Sequence, residues 1–353
     1  MFSRNVHNPL ITPRGVAASR PDFEVLGTFN AGVTTYRDEV ILLLRIAERP
    51  LQTDPKCVRY PEMLPDGEIV VREVNRDDEH IDASDPRLIF HRRTGKVSLT
   101  SMSHLRLARS HDGIHFTVDE HPWLVAQPPY ETFGVEDARI TCIENTYYVN
   151  YSAVSALGIC TGLISTRDFV NVERQGIIFP PSNRDVTIFP ERVNGLYVCY
   201  HRPMPALLGS LNIWSATSPD LKHWGNHQVV VTAQDQGWEA GRVGGGAPPI
   251  RTPQGWLSIY HAADPNDRYC LGAFLTPLEE PWRVIGRSRT PILAPEAAYE
   301  TSGFFPNVVF TCGALLQNDL LKVYYGASDE VIALAEIPLA DVLASLADTP
   351  SKT

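Results

Sequence analysis

One short element recurs along the chain and restricts the fold more than any other feature. A turn leads into a strand that ends in an aromatic residue or leucine, followed by a polar residue. The copies are DEVILLLR (38–45), NTYYVNYS (145–152), NGLYVCYH (194–201), QGWLSIYH (254–261) and NDLLKVYY (318–325). A second element is a tight S/T-x-D turn, seen in SHDGIHF (110–116), STRDFVNV (165–172) and SPDLKHW (218–224). Its aspartates, Asp112, Asp168 and Asp220, stand 56 and 52 residues apart. Four-stranded propeller blades take about 40–50 residues, so five such hairpins predict an all-β fold, a five-bladed β-propeller. The wider interval between the first two copies holds REVNRDDEHIDASDPRLIFHRRTG (72–95), which reads as an insertion, a long strand pair or a rim loop. Helical spacing is confined to the tail, where Leu339, Val342, Leu343 and Leu346 predict a short C-terminal helix. No linker-like stretch divides the chain, so a single domain over 1–353 is expected, with its core at about 22–340.

Composition narrows the function classes. No apolar run approaches the roughly 18 residues of a membrane helix, and MFSRNVHNPLITP lacks the apolar core of a signal peptide. The six cysteines are scattered with no C-x-x-C, which fits reduced thiols in a cytoplasmic protein. The eleven histidines show no metal-binding spacing, so no metal is expected. Net charge is −10 and no lysine/arginine cluster stands out, so nucleic acid and membranes are not expected partners. An anionic substrate stays open if local arginines collect it.

Residues 131–141 read ETFGVEDARIT. Glu136, Asp137 and Arg139 lie in a stretch that otherwise reads as a buried strand. A buried carboxylate is costly unless it is paired or used, so the choice is a structural ion pair or a functional site. The polar residue closing each repeated strand varies (Arg45, Ser152, His201, His261, Tyr325), which suggests an asymmetric site at the centre of the ring.

At this point the chain resembles glycoside hydrolase family 130, the inverting β-mannoside phosphorylases and related β-mannosidases. The likeness is carried in order by FNAGV (29–33), LLLRIAER (42–49), GVEDARIT (134–141), RDVTIFPERVNGLYVCYHRP (184–203), GWEAGRVGGGAPPIRTPQGWLSIYHAAD (237–264) and YYGASDEVIALAEI (324–337). It covers about residues 8–340 and implies a five-bladed propeller. By resemblance Asp137 is the general acid, and Asn30, Arg45 and Asp329 hold the mannose that is cleaved off. Arg184, Arg202 and Arg242 surround inorganic phosphate, the co-substrate; no other cofactor is implied. Arg242 matches by charge only, where many members carry lysine. His261 and Tyr269 border the site. The implied reaction cleaves a β-mannoside with phosphate to α-mannose 1-phosphate and a shortened acceptor.

The chemistry is consistent with those residue types. An inverting hydrolase needs an acid and a base roughly 6.5–9.5 Å apart to admit a water. Phosphorolysis needs only the acid, plus positive charge to aim an anion, and arginine forks suit phosphate oxygens. Each arginine has a plainer alternative: Arg184 pairing with Asp185, Arg202 capping a neighbouring blade, Arg242 a solvated loop charge. Glu239, if it faces the funnel, supplies a base and makes the enzyme a β-mannosidase; otherwise it is a rim residue paired with Arg242. Strand alternation puts Glu136 on the side opposite Asp137, as an ion-pair or sugar-orienting residue. The glycines of GRVGGGAPP let backbone pass close to substrate or make a tight inter-blade crossing. Tyr130, Phe133, Trp238, Phe304 and Phe305 are candidates for sugar stacking. A non-catalytic glycan-binding propeller is the remaining alternative. Linkage and acceptor depend on the rim segments 49–95 and 294–306, and homo-oligomer formation through the terminal segments stays open.

Overall fold

Each of the five recurrent segments is the second strand of an antiparallel hairpin. Glu39–Pro50 pairs with Phe23–Tyr36, Thr146–Ser155 with Gly134–Ile143, and Tyr197–Pro203 with Asn183–Ile188. Gly255–Ala263 pairs with Arg242–Gly245, and Leu320–Ala327 with Val309–Gln317. A third strand follows in every case: Met102–Ser110, Gly158–Thr166, Ile213–Ser218, Tyr269–Thr276 and Val331–Pro338. The computed structural model describes residues 3–348. Within that span the fifth meander gains its outer strand from the other end of the chain, Ser3–Arg4 on Val331–Pro338.

These strands bury both faces, which is why DEVILLLR is an unbroken apolar run rather than an alternating one. Ile41 and Leu43 pack with Val135, Ile140 and Val149 of the second meander. Leu42 and Leu44, on the other face, pack with Tyr324, Ile332 and Leu334 of the fifth. Second and third meet through Leu163, Phe179, Val186 and Ile188. Third and fourth meet through Val198, Tyr200, Trp256 and Phe274. Fourth and fifth meet through Ile259, Leu271, Val309 and Val323. Each of these five clusters joins consecutive meanders, and the contact of the fifth with the first closes a ring.

The stretch 72–95 falls in an insertion between the second and third strands of the first meander. A hairpin, Cys57–Met63 with Ile69–Asn75, is followed by a small sheet of Ile81–Asp82, Leu88–His91 and Lys96–Leu99. The S/T-x-D motifs are Asx turns: Asp112, Asp168 and Asp220 accept backbone N–H groups two and three residues on. The C-terminal helix spans Leu339–Ala344, and the chain then returns to a strand on Gly286–Ser288. No helix among the described residues is long and apolar enough to cross a membrane.

Candidate active site

The first strands of the hairpins surround a central cavity of about 530 Å³. Asn30 and Arg45 reach it from the first meander, Glu136 and Asp137 from the second, and Arg184 from the third. Arg242 and Tyr269 reach it from the fourth and Asp329 from the fifth.

A repeated backbone device brings the polar groups inward. The first strands slip register between Phe29 and Gly32, Glu136 and Arg139, and Arg184 and Thr187. At those bulges Asn30, Asp137 and Asp185 take left-handed φ values of 50°, 51° and 56°. Asparagine and aspartate tolerate this conformation better than other non-glycine residues. The bulge also cancels strand alternation, so Glu136 and Asp137 face the same cavity and not opposite sides.

Arg45 ties the two acids together. Its Nη2 donates to Glu136 Oε1 at 2.8 Å and its Nη1 to Asp137 Oδ1 at 3.1 Å. Its Nε donates to Ser103 Oγ at 3.0 Å, and its guanidinium stacks on Phe29. Asn30 Nδ2 donates to Asp137 Oδ1 at 3.0 Å. Burial pushes Asp137 upward, but Arg45, Arg139, the Asn30 bond and Arg184 together hold it below the usual carboxylate range. Asp329 goes the other way. Burial pushes it up to about 6, with Asp137 and Glu136 adding to the effect and Arg45 opposing it.

The arginines divide into two layers. Arg184 and Arg242 line the cavity. Arg184 does not pair with Asp185; its Nη2 lies 3.6 Å from Glu136 Oε2. Arg242 donates to Tyr269 Oη at 2.7 Å and contacts Asp267. Arg202 does not line the cavity. It is buried behind the wall, 2.8 Å from Asp185. His261 is displaced in the same way, with Nε2 3.3 Å from Asp185, because Asp185 gathers both groups together with Arg139. Arg202, the His261 contact and Arg139 keep Asp185 far below the usual carboxylate range against its burial. Burial lowers Arg202, Asp185 and Tyr269 oppose this, and the charges of Arg184 and Arg242 lower it further. Buried nitrogens on all three lack a hydrogen-bond partner: Arg184 Nε, Arg202 Nε and Nη1, and Arg242 Nε.

Glu239 is neither a funnel base nor a partner of Arg242. It is buried against Tyr260 and Arg287, the latter at 2.6 Å, and is absent from the cavity wall. Of the five repeated polar positions only Arg45 lines the cavity. Ser152 sits opposite Glu136 in the ladder, His201 stacks on Phe179, and Tyr325 donates to Glu300. The glycines of GRVGGGAPP form a tight crossing: a Cβ on Gly244 would stand 2.5 Å from Asp185 Oδ2 and from His261 Nε2. Phe133, Phe304 and Phe305 line the cavity, whereas Tyr130 is surface-exposed and Trp238 packs on Tyr260. Sequence reasoning missed Asp185 as the organiser. Its signal is that N-R-D-V-T repeats the bulge register of F-N-A-G and E-D-A-R.

Comparisons with known proteins agree. The family model described as beta-1,4-mannooligosaccharide phosphorylase, glycoside hydrolase family 130, matches residues 81–348. A β-1,2-mannobiose phosphorylase of Listeria innocua is 46% identical, over 97% of this chain and 98% of that protein. A 1,2-β-oligomannan phosphorylase of a Thermoanaerobacter species is 41% identical, over 68% of this chain and 80% of that protein. The solved structure of the Listeria innocua β-1,2-mannobiose phosphorylase with β-1,2-mannobiose superposes with a TM-score of 0.94, at 46% identity, covering 98% of this chain and 99% of that one. With this match in sequence and fold, the chain belongs to glycoside hydrolase family 130.

Proposed function

We propose that the protein is an inverting β-mannoside phosphorylase, with β-1,2-linked mannobiose as its substrate. One observation carries the reading: buried, unpartnered arginine donors gather beside a cavity that also holds a carboxylate. Inorganic phosphate matches those donors in charge and geometry. Its oxygen attacks the anomeric carbon from the face opposite the leaving group. The glycosidic C–O bond breaks, Asp137 gives its proton to the leaving oxygen, and the proton of hydrogen phosphate makes good that loss. The products are α-mannose 1-phosphate and the shortened acceptor. Asp137 is ionised in the free protein, so it takes up its proton on assembly of the complex, when the phosphate dianion offsets its arginine neighbours.

Asn30, Arg45 and Asp329 hold the mannose hydroxyls, and Glu136 orients Arg45 and Arg184. Arg184 and Arg242 hold phosphate from the wall, while Arg202 supplies charge from behind and His261 keeps Asp185 in place. Phosphate is the co-substrate, and no further cofactor enters the scheme. The ring is read as one five-bladed β-propeller domain, supported by the cyclic series of interfaces from first to fifth meander. A cytoplasmic location is supported by six unpaired cysteines. The β-1,2 linkage rests on the relative that matches along nearly the whole chain, which outweighs the 1,4 in the family description.

The test is to incubate the protein with β-1,2- and β-1,4-mannobiose, with and without phosphate, and to assay mannose 1-phosphate and mannose. Sugar phosphate from the β-1,2 disaccharide, formed only with phosphate, is the expected result. Free mannose at equal rates in both tubes would make the protein a hydrolase.

A further inference from the structure

Three carboxylates face the three arginines of the central site, and they differ in exposure. Asp185 holds Arg202 at 2.8 Å, and its side chain is 3% exposed. Glu136 faces Arg184 at 3.6 Å and is 9% exposed. Asp267 holds Arg242, and its side chain is 45% exposed. A buried carboxylate that loses its cation is strongly destabilising, so Asp185 and Glu136 are committed to their partners. An exposed ion pair is worth little, so Asp267 can release Arg242 to another anion and turn to water.

The surroundings fit such an exchange. Asp267 and Arg242 both line the central cavity. Arg242 Nη1 donates to Tyr269 Oη at 2.7 Å, while Nη2 contacts Asp267. Losing Asp267 therefore frees one edge of the guanidinium, and Tyr269 keeps the side chain at the wall. The turn that carries Asp267 joins the strands Gly255–Ala263 and Tyr269–Thr276 and is braced from within. Asp264 Oδ1 accepts from the backbone N–H groups of Asn266 at 2.8 Å and Arg268 at 3.0 Å, and the Asp267 N–H donates to Asp264 O at 3.1 Å. Release is then the rotation of one side chain, not the opening of a loop.

We infer that Asp267 is an internal anion that occupies Arg242 between turnovers, yields it to phosphate, and takes it back as the sugar phosphate leaves. The inference rests on the phosphorylase reading and adds to it a residue that sets phosphate affinity. Asp267 is a positioning residue, since it acts through Arg242. Cations that hold the phosphate dianion also hold the phosphate group of the product, so a competing carboxylate speeds the departure of α-mannose 1-phosphate.

Asp267→Asn keeps the side-chain shape, removes the charge, and puts a residue that tolerates left-handed backbone at φ 59°. The experiment titrates inorganic phosphate into wild type and variant by calorimetry, and measures the KM for phosphate and for β-1,2-mannobiose with each. Phosphate is expected to bind the variant about fivefold more tightly, the upper end of what an exposed ion pair is worth. The KM for phosphate should fall alike, with little change in the KM for mannobiose. A merely structural Asp267 gives the opposite sign, because an unsupported Arg242 holds phosphate less well. Equal or weaker phosphate binding in the variant therefore overturns the inference. Asp267→Glu keeps the charge and is expected to keep wild-type affinity; a shift as large as that of Asp267→Asn would assign the effect to loop shape and also overturn it. Mannose 1-phosphate formation by the wild type is read separately. If none forms while phosphate still binds the asparagine variant more tightly, the phosphorylase reading falls and Asp267 stands as the gate of an anion site.

Discussion

Asp137 sits at φ 51° in a strand bulge, and that conformation turns its carboxylate toward Arg45 and Asn30. Asp137→Asn keeps the shape and the Asn30 contact but has no proton to give. Turnover is expected to fall by about 10²–10⁴-fold, with an unchanged circular dichroism spectrum; an active variant would remove the acid assignment. Arg184 and Arg202 are expected to respond differently, because they occupy different layers. Arg184→Ala should raise the KM for phosphate by about tenfold or more, the effect of one lost hydrogen bond to a charged group, with little change in stability. Arg202→Ala strips a partner from buried Asp185, so denaturant unfolding should also show a loss of about 3–5 kcal/mol. Asp329 links activity to stability. Its pKa of about 6 lies above the ordinary 3.8, so the folded protein holds this proton more tightly than the unfolded chain. Its contribution to stability therefore falls as pH rises from 3.8 to about 6, and the penalty is full above that. Asp329→Asn should stabilise the protein by about 1–3 kcal/mol at pH 8, give no gain near pH 4, and lose mannoside turnover; a stability gain that ignores pH would contradict this origin. The residue types at these positions were legible in E-D-x-R, F-N-A-G and the arginines. Their facing was not, since strand periodicity sends Glu136 the wrong way and only the bulge corrects it.

At the scale of elements, the recurrent turn-strand units became the second strands of the five hairpins, and their both-face burial explains their apolar runs. The first strands were harder to read. Four of the five are interrupted by bulges, and they carry the polar residues that spoil alternation. The crossing at Arg242–Gly245 shows why glycine stands there: Asp185 and His261 occupy the volume of any Gly244 side chain. Gly244→Ala must push both, so it is expected to cost about 1–3 kcal/mol and to lower turnover by disturbing Arg202. Gly225→Ala meets nothing within 4 Å and serves as the control, expected to leave both urea midpoint and activity close to wild type. The insertion was recognisable as a break in the repeat interval. That it folds into a hairpin and a three-stranded sheet beside the cavity was not, because its charges mask the strand pattern.

At the scale of the molecule, the first described residues join the fifth meander. Ser3–Arg4 completes the fifth meander, and Arg4 bonds Glu300 through Nε at 2.7 Å and Nη2 at 2.8 Å. Glu300 also accepts from Tyr325 Oη at 2.7 Å, and it anchors the segment that carries Phe304 and Phe305 to the cavity. Arg4→Ala is expected to lower stability by about 3 kcal/mol, since it leaves a buried carboxylate without its cation. It should also raise the KM for mannoside, measured beside a denaturant curve; intact stability would mean that this end does not hold the ring. The sequence by itself determined the β class, the number of repeated hairpins and most of the charged side chains that line the cavity. Those properties follow from local turn chemistry, apolar runs and residue type, which act over a few neighbours. Tertiary structure alone decided that Glu136 and Asp137 share one cavity, that Asp185 withdraws Arg202 and His261 behind its wall, and that Glu239 belongs to Tyr260 and Arg287. Each of these depends on contacts between separate meanders, and such contacts exist only once burial has closed the ring.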